Sequence, residues 1–152
     1  GMNPYAAAAA HWTAGALEPA SYEFLRGLGG HARFEIGGRS FAIFHGSPRD
    51  PVEYVFEEDL RDDLVRGVEE DLLILGHTHV PFVRKVGGIV VVNPGSVGQP
   101  RDGDPRASFA VIDTDGPDVR IVRTEYDVQS AIDAIIGRGL PRMLGERLTV
   151  GR

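Results

Sequence analysis

Two histidines separated by a single residue, His77 and His79, are well suited to chemistry. Neutral imidazole is a ligand for Zn, Fe, Mn and neighbouring metals. The pair follows the apolar run 72–75, which is short and flanked by turn-forming residues and is therefore typical of a buried strand. Gly76 lets the chain leave this strand in a conformation that a residue with Cβ resists. If the backbone stays extended at 77–79, both imidazoles point to one side. A loop with two surface histidines is the alternative.

A second apolar run, 41–44, also ends in a histidine beside a glycine, His45-Gly46. In open α/β sheets, ligands bind beyond the carboxyl ends of the strands. Two strands with this ending can place three imidazoles at one edge of a sheet. A lone histidine after a strand is more often structural than a ligand, but beside His77 and His79 the pattern predicts that His45 is a ligand.

Three motifs in sequence order resemble those of the calcineurin-like metallophosphoesterases: HGSP at 45–48, LILGHTH at 73–79 and VVVNPGS at 90–96. The resemblance is to the small bacterial and archaeal phosphodiesterase/phosphatase branch. It implies an α/β (α+β) fold, part of a four-layer αββα sandwich with mostly antiparallel strands and hairpins in this half. It also implies divalent metal ions (Mn, Fe or Zn), two per complete site. By this resemblance, one metal binds to His45 and His77 and the other to His79.

The resemblance places the NPGS loop beside the metals, so Asn93 and Ser96 are candidate substrate-binding residues. Turn chemistry alone would explain them equally well, because Pro and Gly fix a turn and Asn bonds to neighbouring backbone groups. Arg101 and Arg106 follow on a polar loop. A surface salt bridge is the favoured interpretation of each arginine, with a phosphate contact as the alternative. No residue of the sequence is identified as the catalytic acid or base.

Three further motifs of the family, DxH, GDxxD and GNH[DE], do not occur in this sequence. In the family they precede the matched region and supply the bridging carboxylate, an Asn ligand and the His that protonates the leaving group. The chain therefore resembles the C-terminal half of a metallophosphoesterase, expected to be a single domain over 3–152. Residues 1–2 are expected to be a tag residue and an assigned start. Three histidines alone do not complete a two-metal site, which needs a carboxylate to hold the ions as a pair.

The function implied by the resemblance is metal-dependent hydrolysis of a phosphodiester or phosphomonoester by a metal-activated water, with a site that is incomplete in this chain. Whether the chain is an enzyme on its own is open. The alternative is a non-catalytic remnant that acts as a metal-binding or interaction domain. The expected partners are a small phosphate-ester substrate and either a second copy of the chain or a missing N-terminal half, since half a sandwich leaves an apolar sheet face uncovered.

Composition limits the other possibilities. The 152 residues are enough for one hydrophobic core, and 42% of them are hydrophobic. A net charge of -6 argues against broad nucleic-acid binding, which needs a basic surface. The absence of cysteine excludes disulfides and thiolate metal sites and fits a cytoplasmic protein. No apolar run approaches the roughly 18 residues of a membrane span.

The hydrophobic pattern predicts the remaining elements. An acidic cluster in the N-terminal half of 57–68 indicates a solvated helix face, and 140–152 is expected to pack loosely. The predicted helices are 3–17, 19–27, 57–68 and 128–138; the predicted hairpins are 32–44 and 82–92; the other strands are 72–75, 108–113 and 119–126, with a turn at 115–117 between the last two.

Overall fold

The computed structural model describes residues 3–116 and 118–152. The expected tag and start residues, Gly1 and Met2, and Pro117 of the predicted turn lie outside the described residues. None of the helices in the described part of the chain has the length and apolar content that a membrane span requires. The elements are, in chain order, α1 (Pro4–Ala16), α2 (Pro19–Gly27), β1 (His31–Ile36), β2 (Arg39–Phe44), a 3-10 turn (Glu57–Asp59), β3 (Leu72–Leu75), β4 (Phe82–Val86), β5 (Ile89–Asn93), β6 (Ala107–Ile112), β7 (Val119–Thr124), α3 (Val128–Gly137), α4 (Arg142–Glu146) and a second 3-10 turn (Arg147–Val150).

The described residues form two units, one of which comprises the helices at residues 3–29 and 127–150. The other unit holds all seven strands. Its five-stranded sheet has the order β1-β2-β3-β5-β4, with the three central strands parallel and the two outer strands paired to them as antiparallel hairpins. β6 and β7 form a separate antiparallel ribbon. Both predicted hairpins are confirmed.

The parallel strands β2 and β3 end in register, with Phe44 opposite Leu75. Parallel strands deliver the residues that follow them to the same edge of a sheet. His45 and Gly76 therefore leave the sheet side by side, and the Gly76 N–H donates to the His45 carbonyl at 2.9 Å. β5, parallel to β3, ends at this edge with Asn93. The predicted meeting of the strand ends is confirmed.

The core of this unit lies on the central strands, where Ala42, Leu73 and Val91 have no exposed surface. Apolar side chains from the connection between β2 and β3 complete it. Burying such side chains contributes about 1.5 to 3 kcal/mol each to stability, so this core holds the strand ends in place. The buried cluster is Ala42, Val55, Leu60, Leu64, Val65, Val68, Leu73, Leu75, Phe82 and Val91.

The helix predicted at 57–68 is wrong, because only the 3-10 turn Glu57–Asp59 forms there. Leu60 then has an extended backbone, with ψ 121°, which ends the turn. Isolated turns follow, in which an N–H binds the carbonyl three residues back, as Val68 does to Val65 at 3.0 Å. The apolar side chains assigned to one helix face are nevertheless buried, so burial against the sheet outweighed helical periodicity. These side chains are Leu60, Leu64, Val65 and Val68.

The helical unit begins as predicted. Asn3 caps α1, since its Oδ1 accepts from the Ala6 N–H at 2.9 Å, and Pro4 occupies the first turn. The loose packing predicted for 140–152 is wrong: this segment forms α4 and the second 3-10 turn. The reason is local burial, because Leu148 is 5% exposed and Gly145 lies against Ile132 of α3.

Candidate functional site

Two of the three predicted ligands meet at the carboxyl edge of the sheet. His77 Nδ1 and His45 Nε2 are joined by a hydrogen bond of 2.9 Å. Their rings are edge to face, with centroids 4.7 Å apart. The approach is close because residue 76 is glycine: a Cβ there would lie 3.2 Å from the His45 carbonyl oxygen. The in-register strand ends thus hold two imidazoles in contact.

His79 is oriented by a different partner. Its Nδ1 lies 2.7 Å from the carbonyl oxygen of Gln99. Because a carbonyl can only accept, Nδ1 must carry the proton and donate it. In the neutral ring this leaves the lone pair on Nε2, and a backbone carbonyl that fixes the tautomer in this way is typical of metal-binding histidines. His79 therefore presents one defined nitrogen.

The extended backbone predicted for 77–79 is wrong. His77 has φ +66° and His79 has φ +61°, both in the left-handed region. Such conformations cost of order 1 to 3 kcal/mol each in residues other than glycine, and they persist only where the surroundings impose them. Gly76 itself does not have a left-handed φ. Its missing side chain serves the close approach to His45 and not the exit from the strand.

Thr78, the residue between the two histidines, is tied to the end of β5. Its buried hydroxyl accepts from Asn93 Nδ2 at 3.0 Å and from the Val80 N–H at 3.3 Å. Asn93 Nδ2 also donates to the Gly76 carbonyl at 2.9 Å, and Asn93 Oδ1 accepts from the Gly95 N–H at 2.9 Å. This network holds the histidine loop in its unusual conformation. Thr78 could not be identified from the sequence, since no pattern distinguishes it from a surface threonine.

The two candidate substrate residues both have partners within their own loops. Asn93 has no exposed surface. The Ser96 hydroxyl accepts from the Gln99 N–H at 2.8 Å and from the Gly98 N–H at 3.2 Å. Ser96 therefore shapes the loop whose Gln99 carbonyl orients His79. Contact of Asn93 or Ser96 with a substrate stays a prediction.

The HGSP loop is shaped by Ser47, which is 2% exposed. Its hydroxyl donates to the Glu53 carboxylate and accepts from the N–H groups of Arg49 and Asp50, both at 3.1 Å. Farther along the same connection, the Tyr54 ring contacts the His77 ring at a tilt of 47°, with centroids 4.1 Å apart. Tyr54 is 53% exposed, so it forms an accessible aromatic wall beside the histidines. No sequence pattern predicted this role for Tyr54.

The surroundings of His77 and His79 lower the pKa of both imidazoles. Burial lowers the pKa of His77, and the neighbouring His45 lowers it further. Burial also lowers the pKa of His79, against the hydrogen bond to Gln99, which raises it. The positive charge of Arg101 lowers both pKa values as well. Neutral imidazole is the form that binds metal ions, so both rings are ready to act as ligands near pH 7.

The imidazoles fit part of a metal site. Nitrogen ligands of this kind suit Zn, Fe and Mn. Within residues 3–116 and 118–152, however, no group of three or more His, Cys, Asp or Glu side chains is close enough together to hold an ion. The arrangement is a contacting pair, His45 and His77, with a separately oriented third ring, His79.

A model of the calcineurin-like phosphoesterase superfamily domain matches residues 7–117. The chain belongs to this family. An uncharacterised protein of Methanocaldococcus jannaschii is 35% identical over 168 residues, which cover 99% of this chain and 68% of that protein. A probable metallophosphoesterase of Methanothermobacter thermautotrophicus is 46% identical over 93 residues, which cover 60% of this chain and 51% of that protein.

A solved structure shows the same architecture. The crystal structure of a metallophosphoesterase from Sphaerobacter thermophilus superposes with a TM-score of 0.84 at 32% identity, over 99% of this chain and 69% of that one. The predicted fold class, α+β as part of a metallophosphoesterase sandwich, is confirmed. The family generally uses divalent metal ions. The chain spans about two thirds of the length of the Methanocaldococcus jannaschii protein and about half that of the Methanothermobacter thermautotrophicus protein.

Proposed function

We propose that this protein is a metal-dependent phosphoesterase and that the chain contributes the histidine side of its metal centre. The observation that carries the proposal is the contact between His45 and His77 beside the oriented ring of His79. Membership of the calcineurin-like family supports it. Bound divalent ions would act as Lewis acids on the phosphoryl oxygens and lower the pKa of a bound water.

The chain's own residues have distinct roles in this proposal. His45 and His77 hold one ion and His79 the second, which the separate hydrogen-bond partner of His79 supports. Mn, Fe and Zn suit these ligands. Thr78 and Asn93 fix the loop that carries the histidines. The substrate is a small phosphodiester or phosphomonoester, and the carboxylate ligands come from outside the described cluster.

The test of the proposal is metal binding by the purified protein after dialysis against Mn²⁺ or Zn²⁺, measured as ions per chain and by calorimetric titration. His77→Ala should weaken binding by at least about tenfold, since loss of even an outer partner of a ligand costs about 10- to 100-fold. His11→Ala, an exposed histidine of α1, is the matched control and should bind as the wild type does. A wild-type protein without bound metal, or a His77→Ala variant that binds equally well, would contradict the proposal.

A non-catalytic metal-binding or interaction domain is the second candidate. It is favoured by the lack of a third close ligand for the His45 and His77 pair within the described residues. Hydrolysis of p-nitrophenyl phosphate and bis-p-nitrophenyl phosphate by the metal-loaded protein separates the two candidates. Metal binding that depends on His77, without hydrolysis of either ester, would favour this second one.

Association with a second copy, or with a missing N-terminal half, stays a prediction, as does the cytoplasmic location. Exposed apolar side chains support the association: α2 has no buried residue, and Phe24 is 67% exposed. Leu25 and Leu28 are likewise exposed. Sedimentation equilibrium over a range of concentrations tests it, and a monomer at every concentration would count against a homo-oligomer.

A further inference from the structure

We infer that Arg101 binds the phosphoryl group of the substrate at the edge of the histidine cluster. The inference rests on the proposed phosphoesterase function and names a ligand-binding residue within it. The chemical class of ligand is a phosphate monoester or diester, recognised through its anionic oxygens. The sequence favoured a surface salt bridge for Arg101, and the contacts of its side chain point away from that interpretation.

Arg101 is attached to the residues that orient His79. Its backbone N–H donates to the His79 carbonyl at 3.3 Å. Its Nη2 donates to Gln99 Oε1 at 3.1 Å. Gln99 in turn accepts from His79 Nδ1 through its backbone carbonyl. One short loop therefore fixes both the His79 imidazole and the Arg101 guanidinium, which places a cation beside the candidate metal ligands.

The guanidinium has donor capacity that the protein leaves unused. Arg101 Nε is buried and has no hydrogen-bond partner within residues 3–116 and 118–152. In that part of the chain no carboxylate forms an ion pair with Arg101. A buried donor without a partner lowers stability, and more so when the group is charged.

The neighbouring carboxylates are already committed to other arginines. Asp102 follows Arg101 directly in the chain but pairs with Arg123. Asp104 pairs with Arg106 at 2.6 Å, through a fork of hydrogen bonds. The loop thus pairs both of its acidic side chains with arginines other than Arg101. These carboxylates therefore leave the charge of Arg101 available to an anionic ligand.

A phosphoryl group matches the chemistry of this position. The planar guanidinium presents parallel N–H donors that bind two phosphate oxygens at once. Metal ions on the histidines would add further positive charge, and a cation such as Arg101 is tolerable beside them when an anion lies between. The phosphoryl group of an ester is such an anion.

The test is calorimetric titration of the metal-free protein with inorganic phosphate at low ionic strength. Arg101→Met should lower phosphate affinity by at least about tenfold, the value of one charge-assisted hydrogen bond. Arg101→Lys keeps the charge without the fork and should fall between the wild type and Arg101→Met. Arg106→Met, an arginine of the same loop with its own carboxylate partner, is the matched control and should stay within about twofold of the wild type.

Thermal melts of all four proteins check that each variant folds. If Arg101→Met fails to fold, Arg101→Lys still decides the test. Phosphate binding that is unchanged in both Arg101 variants, or absent from the wild type, would overturn the inference. Equal losses in Arg101→Met and Arg106→Met would also overturn it, because they would show a general charge effect. The titration uses no metal, so failure of metal binding in the His77→Ala experiment is a separate result that bears on the proposed function alone.

Discussion

The two ends of the parallel strands β2 and β3 differ in how their polar groups are partnered. At the amino end, Ser40 and Asp71 satisfy each other: Asp71 Oδ2 accepts from the Ser40 N–H at 2.9 Å and from its hydroxyl at 3.0 Å. The Asp71 N–H donates back to the Ser40 hydroxyl at 2.9 Å. At the carboxyl end, His45 and His77 bond to each other, two histidines have left-handed backbones, and Arg101 Nε has no partner in the described chain.

Under the proposed function, this difference distinguishes a structural end from one that binds ligands. Reciprocal hydrogen bonds at the amino end join the two strands and satisfy the polar groups of Ser40 and Asp71 that form them. Strained backbone and unused donors at the carboxyl end cost stability, and such features cluster at sites that bind something. Strands β2 and β3 thus have a different kind of end on each side of the core.

The largest expected effect comes from the core that supports both ends. Leu73→Ala, in the middle of β3 at 0% exposure, should lower the free energy of unfolding by about 3 kcal/mol, because it removes buried methyl groups and leaves a cavity. Urea denaturation measures this. Leu25→Ala, the same substitution at a side chain that is 49% exposed, is the matched control and should change stability by no more than about 0.5 kcal/mol. Equal losses in the two variants would show that Leu73 is not a core residue.

A substitution at the carboxyl end of the strands should affect metal binding as well as stability. Asn93→Ala leaves Thr78, Gly76 and the Gly95 N–H without their shared partner, at a cost of about 2 kcal/mol. Because the histidine loop then loses its support, metal affinity should also fall by about tenfold. Denaturation and metal titration of one preparation measure both effects. Normal metal affinity in a destabilised Asn93→Ala protein would show that the histidines do not depend on this network.

The smallest effect is expected at the amino end and depends on pH. The backbone N–H and hydroxyl of Ser40 hold the pKa of Asp71 below its ordinary value. Since the folded-state pKa is the lower one, Asp71 stabilises the protein above the unfolded pKa of about 3.9 and loses that effect as pH falls through the folded pKa.

Asp71→Asn should therefore be less stable than the wild type at pH 7, and the difference should shrink towards pH 3. Urea midpoints at the two pH values measure it, with no change expected in metal binding at pH 7. A difference between the proteins that grows on acidification would contradict the predicted sign.

The sequence was sufficient to predict the elements that position the site. Short apolar runs that stop at His-Gly and Gly-His predicted the ends of β2 and β3 and their common edge. The Gly-Gly pairs predicted both hairpins, since left-handed glycines occupy each turn, as at Gly37 and Gly87. In each case the information is local: a few adjacent residues determine where a strand ends or turns.

Features that depend on distant partners could not be predicted in this way. The left-handed backbone of His77 and His79 depends on Thr78 meeting Asn93, which lies 15 residues away along the chain. Within the described residues Arg101 forms no ion pair, because Asp102 pairs with Arg123, 21 residues away, and not with its own neighbour. The missing helix at 57–68 has the same cause, since its apolar face packs in a different backbone conformation.

The matching of Phe44 with Leu75 makes the separation of the imidazoles a matter of counting residues along two strands. A shift by one residue would move one histidine about 3.3 Å along the strand axis and turn its side chain to the opposite face. Insertions in the long connection between β2 and β3 leave this alignment intact, whereas a single inserted residue inside either strand destroys it. This alignment therefore allows the connection between the strands to vary in length but not the strands themselves.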